Sequence, residues 1–198
     1  MGTGVTDQQR ATDKLPGLIR QAEVVFGDVL RKVAPEQLAL PTINDEWNVR
    51  ALINHVVLGC AWEAELVRTG NAPRPYGDLI GDRAPLDAYT ASANAMLVSF
   101  ATPGALERTV TMPAAEISAF ELAAFRVVDL VSHAWDLARA TGQNAELAPD
   151  LCEAALFIAR QRLGGQDRAL TPPFKDEVSV PIAASAADRL AAYLGKQV

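Results

Sequence analysis

Two histidines and two aspartates have the residue types and the spacing from which a metal site is built. Asp129, His133 and Asp136 lie in the segment 118–142, whose apolar residues recur at the spacing of one long helix. Positions three, four and seven residues apart return to the same side of a helix, here within a band about 60° wide. The only other histidine is His55. A divalent metal shared between the two helices would give all of these polar side chains a partner at once.

The spacing leaves more than one ligand set open. Asp129 and His133 are about 6 Å apart along the helix axis, so both reach one ion, and Asp136 would then orient a ligand or bind substrate. In a rival arrangement His133 and Asp136 bind the ion and Asp129 is the outer carboxylate. A third interpretation needs no metal: the polar stripe faces water, and His55 is a core histidine satisfied by hydrogen bonds.

Five long helices are expected to position these residues. Apolar side chains at steps of three and four predict helices over about 7–33, 48–69, 85–101, 118–142 and 149–163. Asn48 is the expected N-cap of the second helix, and Ser118 with Glu121 forms the pattern of a capping box for the fourth. Gly59 lies one turn after His55, which leaves room there for a ligand or an approaching helix.

Little β-structure is expected elsewhere in the chain. Residues 109–111 and 178–180 are strand candidates, and a last short helix is predicted over 187–194. The whole chain, 1–198, is predicted to be one domain, in which 166–198 forms a tail docked on the helices.

The composition excludes several classes of protein. Hydrophobic residues make up 49% and charged residues 21% of the chain, as in a globular protein. A net charge of -6 and a pI near 4.9 argue against nucleic-acid binding, which needs clustered Lys and Arg. The first fifteen residues lack a signal-peptide core, and no apolar run approaches the ~20 residues that span a bilayer, so we expect a cytoplasmic protein. Cys60 and Cys152 lack metal-binding spacing and are expected to be buried free thiols.

Two sequence stretches together resemble a known family. Residues 46–55, EWNVRALINH, are followed some 75 residues later by 129–142, DLVSHAWDLARATG, and pieces of a matching ending occur at 178–181, 188–190 and 194–196. The pattern resembles the DinB-like superfamily and, within it, the metal-binding domain of the mycothiol-dependent maleylpyruvate isomerase type. The resemblance implies an all-α fold: a four-helix bundle with an additional helix and a short C-terminal tail. It also implies a divalent metal, commonly zinc, near one end of the bundle.

The resemblance also implies which residues bind the metal. Carried over to this sequence, the ligands are His55, Asp129 and His133. The isomerase pattern has glutamate where this chain has Asp129, whose side chain is shorter. Trp47 and Trp135 match positions that are structural in the resemblance.

An incomplete ligand set leaves room for either water or a thiol on the metal, and the resemblance implies the thiol. Three protein ligands leave one position open on zinc, where a small thiol such as mycothiol would bind as a thiolate. The predicted activity is that of a metal-dependent thiol transferase or isomerase acting on a small electrophilic substrate. Cys60 lies about 140° around the helix from His55, so the nucleophile is expected to come from solution. Two alternatives stay open, a non-catalytic metal- and ligand-binding protein and a hydrolase using bound water. A homodimer is among the open oligomeric states.

Overall fold

The computed structural model of the protein describes residues 7–44, 46–113, 115–168 and 174–198, with side chains from residue 14 onward. Within these ranges the chain forms six α-helices and two short strands. In chain order they are α1 (Asp7–Leu30), α2 (Val49–Thr69), α3 (Pro85–Ala101), β1 (Thr109–Thr111), β2 (Glu116–Ser118), α4 (Ala119–Ala140), α5 (Pro149–Leu163) and α6 (Ala186–Tyr193). A 3₁₀ turn at Pro35–Ala39 lies between α1 and α2.

The first four helices form a four-helix bundle. Helix α2 packs mainly on α3 and α1 mainly on α4, while contacts of α1 with α3 and of α2 with α4 close the bundle. Helix α5 packs on α4, and α6 packs on both α5 and α4. The predicted all-α fold is confirmed, as is the prediction that the helices carrying His55 and His133 are neighbours.

Local capping sets where the two helices of interest begin. The Asn48 side chain accepts a hydrogen bond from the backbone N–H of Ala51 at 2.9 Å, which caps α2. At the start of α4, the Ser118 hydroxyl accepts from the Glu121 N–H at 3.1 Å, and the Glu121 carboxylate accepts from the Ser118 N–H at 2.9 Å. Both caps were predicted from the sequence, and they fix the residues at which α2 and α4 begin.

The bundle core combines large side chains with small ones. Phe26, Leu52 and Trp135 are almost fully buried, and so are small residues such as Ala134 and Ala138. Each fully buried large apolar side chain stabilises the fold by roughly 1.5–3 kcal/mol. The alanines let α4 lie close to its neighbours, which brings polar side chains of different helices within reach of one another.

Two predicted details are wrong. Helix α1 ends at Leu30 instead of continuing to residue 33, and Pro35 begins the 3₁₀ turn. No strand forms at 178–180, because the Val178 N–H donates to the carbonyl of Ala192 at the end of α6 and has no strand beside it. The strand predicted at 109–111 is confirmed, and it pairs antiparallel with β2, which was not predicted.

The C-terminal helix is attached to the bundle by polar and apolar contacts. The indole N–H of Trp135 donates to Asp188 at 2.9 Å, and Leu190 and Ala191 are buried. This packing supports the single-domain prediction for 1–198, which stays a prediction. No helix among the described residues has the length and apolar character needed to cross a bilayer.

Candidate metal site

The three predicted ligands come together between α2 and α4. His55 Nε2 lies 3.9 Å from Asp129 Oδ1, and His133 Nε2 lies 3.5 Å from the same oxygen. One ligand atom from each of the three residues lies within 4.8 Å of the other two. Among the described residues, this is the one group of histidine, cysteine or acidic side chains that has the spacing for a metal ion.

The donor set fits a zinc-sized ion. Zinc binds imidazole nitrogen and carboxylate oxygen at 2.0–2.2 Å, so neighbouring ligand atoms on a tetrahedral ion lie about 3.3 Å apart. The separations of 3.5 and 3.9 Å between Asp129 and the two imidazoles are close to this value. Three such ligands leave a fourth position on the ion for another molecule.

Asp136 contacts the far side of one imidazole. Its Oδ2 lies 2.9 Å from His133 Nδ1, and the ammonium group of Lys196 donates to both carboxylate oxygens at 2.7 and 2.8 Å. A carboxylate at Nδ1 places the ring proton there, which leaves the lone pair of Nε2 facing Asp129 and His55. This geometry favours Asp136 as the residue that orients His133 over the rival arrangement in which it binds the ion.

Arg126 contacts the other oxygen of Asp129. Its Nη1 donates to Asp129 Oδ2 at 2.6 Å, and its Nη2 donates to Glu63 Oε1 of α2 at 2.6 Å. The Arg126 and Glu63 side chains are only 7% and 5% exposed. A Cβ atom at Gly59 would lie 2.5 Å from Arg126 Nη2, so the space predicted at this glycine is filled by the guanidinium group of a neighbouring helix.

The charges around the site keep its carboxylates ionised. Burial by itself would raise the pKa of Asp129, but Arg126 and His133 outweigh it and hold that pKa well below its usual range. Burial would likewise raise the pKa of Asp136, and Lys196 together with His133 lowers it instead. Both aspartates are therefore available as anions at neutral pH.

The two imidazoles differ in their surroundings. Burial lowers the pKa of His55, and the opposing effect of Asp129 is too small to restore it. Burial also acts to lower the pKa of His133, but Asp129 and Asp136 together raise it above the ordinary histidine value. His55 thus has a neutral ring at physiological pH, and His133 is the histidine for which protons compete more strongly.

Trp47 forms one wall of the site. Its ring centroid lies 4.5 Å from that of His55 and 6.0 Å from that of His133. Thr42 holds this segment in place, since its hydroxyl and its N–H both donate to the carbonyl of Trp47. Trp47 therefore touches the predicted ligands directly, whereas Trp135 is buried and bonded to the tail.

The site is sheltered but reachable from outside. The side chains of His55, Asp129 and His133 are 24%, 20% and 14% exposed. The interpretation of a polar stripe facing water is wrong for α4, because Asp129, His133 and Asp136 are mostly covered and paired. Exposure is greatest at His55, which marks the side from which a small molecule would approach.

The two cysteines are buried free thiols, as predicted. Cys60 lies on α2, and burial raises the pKa of its thiol to about 12. Cys152 lies on α5, and burial raises its pKa to about 11. At neutral pH neither is a thiolate, and neither belongs to the group of metal-spaced side chains.

Sequence reasoning missed three charged residues of the site. Arg126 lies one turn from the buried Leu122 and Leu130 on either side, so a charge interrupts an apolar stripe of α4. Glu63 similarly lies one turn before the buried Val67 on α2. These interruptions were a usable signal for two buried charges. Lys196 lies near the end of the chain and had no such signal.

Comparisons with known proteins agree with this fold. The family model described as the mycothiol maleylpyruvate isomerase N-terminal domain matches residues 19–138. Two relatives are uncharacterized proteins of Mycobacterium tuberculosis, Rv0738 of strain H37Rv and MT0763 of strain CDC 1551. Each is 36% identical over 183 residues, which cover 90% of this chain and 96% of the relative.

A solved structure shares the fold. It is the crystal structure of a mycothiol-dependent maleylpyruvate isomerase mutant in which a histidine is replaced by alanine, with a TM-score of 0.53 and 15% sequence identity. The match covers 64% of this chain and 60% of that one. The family match spans α2, α4 and all three predicted ligands, and the chain therefore belongs to the mycothiol maleylpyruvate isomerase N-terminal domain family.

Proposed function

We propose that this protein binds one divalent metal ion, zinc by its donor set, through His55, Asp129 and His133. We further propose that it uses the ion in a thiol-dependent transfer or isomerisation of a small electrophile. The observation that carries the proposal is the convergence of two imidazole nitrogens and one carboxylate oxygen within 4.8 Å. A bound ion would lower the pKa of a thiol at the remaining position, so that a thiolate exists at neutral pH.

The charge balance around the site supports an anionic co-substrate. Asp129 and Asp136 carry negative charges, and Arg126 and Lys196 carry positive ones. Burial raises the pKa of Glu63, and the ion pair with Arg126 at 2.6 Å opposes that effect and favours its anionic form. With Glu63 ionised and both imidazoles neutral, these groups have a net charge of -1. A bound divalent ion changes that net charge to +1. A thiolate would then neutralise a partly buried centre, which lowers the cost of keeping that charge away from water.

The thiol must come from outside the chain. Cys60 and Cys152 are buried and protonated, and neither lies in the cluster of ligand atoms. Mycothiol is the first thiol to test, because the family and its solved relative are named for mycothiol-dependent maleylpyruvate isomerase. In this proposal Trp47 covers the imidazole faces and limits water, while the exposed side of His55 admits the thiol and the electrophile.

Two alternatives rest on the same ligand set. Water in place of the thiol would make the protein a hydrolase, and retention of the metal without turnover would make it a binding protein. Both are compatible with a fourth position that is free of protein ligands. The thiol is favoured over them because the family model and the solved structure are both named for mycothiol.

Metal analysis and a thiol screen together test the proposal. Protein purified without added metal should contain about one zinc per chain, and His55→Ala and His133→Ala should each lose most of it. The loaded protein is then assayed with maleylpyruvate and other small electrophiles, with and without mycothiol. Full metal occupancy in both alanine variants would refute the site. Turnover of esters or amides without thiol would favour the hydrolase. No turnover either with or without thiol would favour the binding protein.

A further inference from the structure

A chain of three buried charged residues lies behind the carboxylate ligand. Arg126 donates from Nη1 to Asp129 and from Nη2 to Glu63, both at 2.6 Å. Removing charged groups from water is costly, and a buried ion pair often adds nothing to stability compared with apolar side chains of similar volume. The position of these charges between α2 and α4 therefore calls for a role beyond stability.

The hydrogen bonds of Arg126 indicate that it orients Asp129. A guanidinium group binds a single carboxylate best by a fork of two parallel hydrogen bonds. The exposed pair on α2 does this, since Arg68 donates to Glu65 from both Nε and Nη2. Arg126 instead divides its two Nη groups between Glu63 and Asp129. Its Nε and the Glu63 Oε2 have no hydrogen-bond partner among the described residues.

This division determines which oxygen of Asp129 faces the histidines. Oδ2 is engaged by Arg126, while Oδ1 lies 3.9 Å from His55 Nε2 and 3.5 Å from His133 Nε2. The guanidinium group fits between the helices because residue 59 is glycine. The Cβ of any other residue at this position would lie 2.5 Å from Arg126 Nη2.

We propose that Arg126, held in place by Glu63, is a positioning residue that restricts Asp129 to binding the metal through Oδ1 alone. This inference rests on the proposed metal site. It goes beyond the ligand set, because it assigns a role to two residues that do not touch the ion and makes Gly59 a requirement of that role.

A double variant separates positioning from folding. Arg126→Met alone leaves Glu63 as an unpaired buried charge and risks unfolding. Glu63→Met/Arg126→Met removes both charges while keeping similar volume, so the fold should survive, as measured by a cooperative thermal melt. Its zinc affinity should fall about 10–100-fold, the usual effect of losing an outer partner of a metal ligand. With Co²⁺ in place of zinc, its visible absorption spectrum should change, because Asp129 is free to rotate or to bind through both oxygens.

The matched control is Glu65→Met/Arg68→Met, which removes the exposed pair of the same helix and should keep wild-type affinity and spectrum. If the double variant at Glu63 and Arg126 does not fold, Arg126→Lys decides, because it keeps the positive charge but replaces the planar guanidinium fork, whose two Nη groups each hold one carboxylate, by a single compact ammonium group, and affinity should still fall. Wild-type affinity and spectrum in the folded variant would overturn the positioning role and leave the metal site intact. A wild-type protein that binds no metal would overturn the site and this inference together.

Discussion

Two series of hydrogen-bonded charged residues contact the candidate site, and they belong to different parts of the protein. The inner arm is Glu63–Arg126–Asp129, which links α2 to α4 deep in the bundle. The tail arm is Lys196–Asp136–His133, which links the end of the chain to α4. The inner arm ends on Asp129, the proposed carboxylate ligand, whereas the tail arm ends on His133, a proposed imidazole ligand, and reaches it through Asp136.

The two arms also differ in their access to water. Arg126 and Glu63 are nearly inaccessible, whereas Lys196 is 19% exposed while its partner Asp136 is 4% exposed. A charge left unpaired on the inner arm cannot be solvated without opening the bundle. The ammonium group of the tail arm lies at the surface, so its loss lets water reach Asp136. We therefore expect the inner arm to be coupled both to folding and to metal affinity, and the tail arm mainly to metal affinity.

The largest effect should come from breaking the inner arm at its centre. Arg126→Met leaves Glu63 buried without a partner, and removing one member of a buried ion pair costs about 3–5 kcal/mol of unfolding free energy. Urea denaturation of the metal-free protein measures this loss, with Lys196→Met as the comparison on the tail arm. Equal stability of the two variants would show that the arms are equivalent for folding.

Replacing His133, the imidazole at the end of the tail arm, should cause the largest loss of zinc affinity of any single change in that arm. His133→Ala deletes one of three ligands, which is about a third of a zinc-binding free energy near 12 kcal/mol, or about a 10³-fold loss of affinity. Competition with a chromophoric chelator measures the affinity. A loss of less than tenfold would mean that His133 is not a principal ligand.

Removal of only the outer residue of the tail arm should have a smaller effect. Lys196→Met leaves the Asp136–His133 hydrogen bond in place but frees the carboxylate to move, so zinc affinity should fall about tenfold. Lys196→Arg keeps a donor at Asp136 and should restore most of that loss. If Lys196→Met binds zinc as weakly as His133→Ala does, the expectation that Lys196 matters less than His133 is wrong.

The pH dependence of zinc binding should also follow the tail arm. A protonated imidazole cannot bind metal, and the pKa of His133 is raised whereas that of His55 is lowered. Affinity should therefore be full above the His133 pKa and fall about tenfold per pH unit below it, as one proton competes. In Lys196→Met the negative charge of Asp136 is less compensated, which should raise the pKa of His133 further. The loss of zinc affinity should then begin at higher pH. Calorimetric titration across pH tests the direction of that shift, and movement to lower pH would contradict it.

The smallest effects should come from the cysteines, which belong to neither arm. Cys60→Ala and Cys152→Ala remove buried sulfur atoms and should each cost about 1 kcal/mol of stability. Zinc affinity and any thiol-dependent turnover should stay within about twofold of wild type, because neither thiol is available as a thiolate. A tenfold loss of turnover in Cys60→Ala at unchanged metal content would point to an internal nucleophile.

Local features of the sequence were enough to predict the helices and the shared face of Asp129, His133 and Asp136, whereas the choice of His55, Asp129 and His133 as metal ligands came from the family resemblance and stays a prediction. The hydrogen bonds of the caps at Asn48 and Ser118 join residues three positions apart, so their partners are visible in the sequence. The spacing of Asp129 and His133 follows from helix geometry alone. The strand 116–118 was missed although its partner β1 is nearby in sequence, because the pattern around Ser118 indicates the start of a helix and hides a three-residue strand. The conformation of 178–180 was not predictable from local features, because the Val178 N–H bonds to Ala192 at the end of α6.

The sequence by itself determined the helices, the caps at Asn48 and Ser118 and the one-turn spacing of Asp129 and His133 on α4, since all of these arise from interactions within a few residues. Only the tertiary structure decided that Glu63 meets Arg126 across 63 positions and that Lys196 meets Asp136 across 60. It also decided which oxygen of Asp129 faces the histidines. The physical reason is that a buried charge accepts whichever partner helix packing brings within about 3 Å, and that packing depends on the whole core.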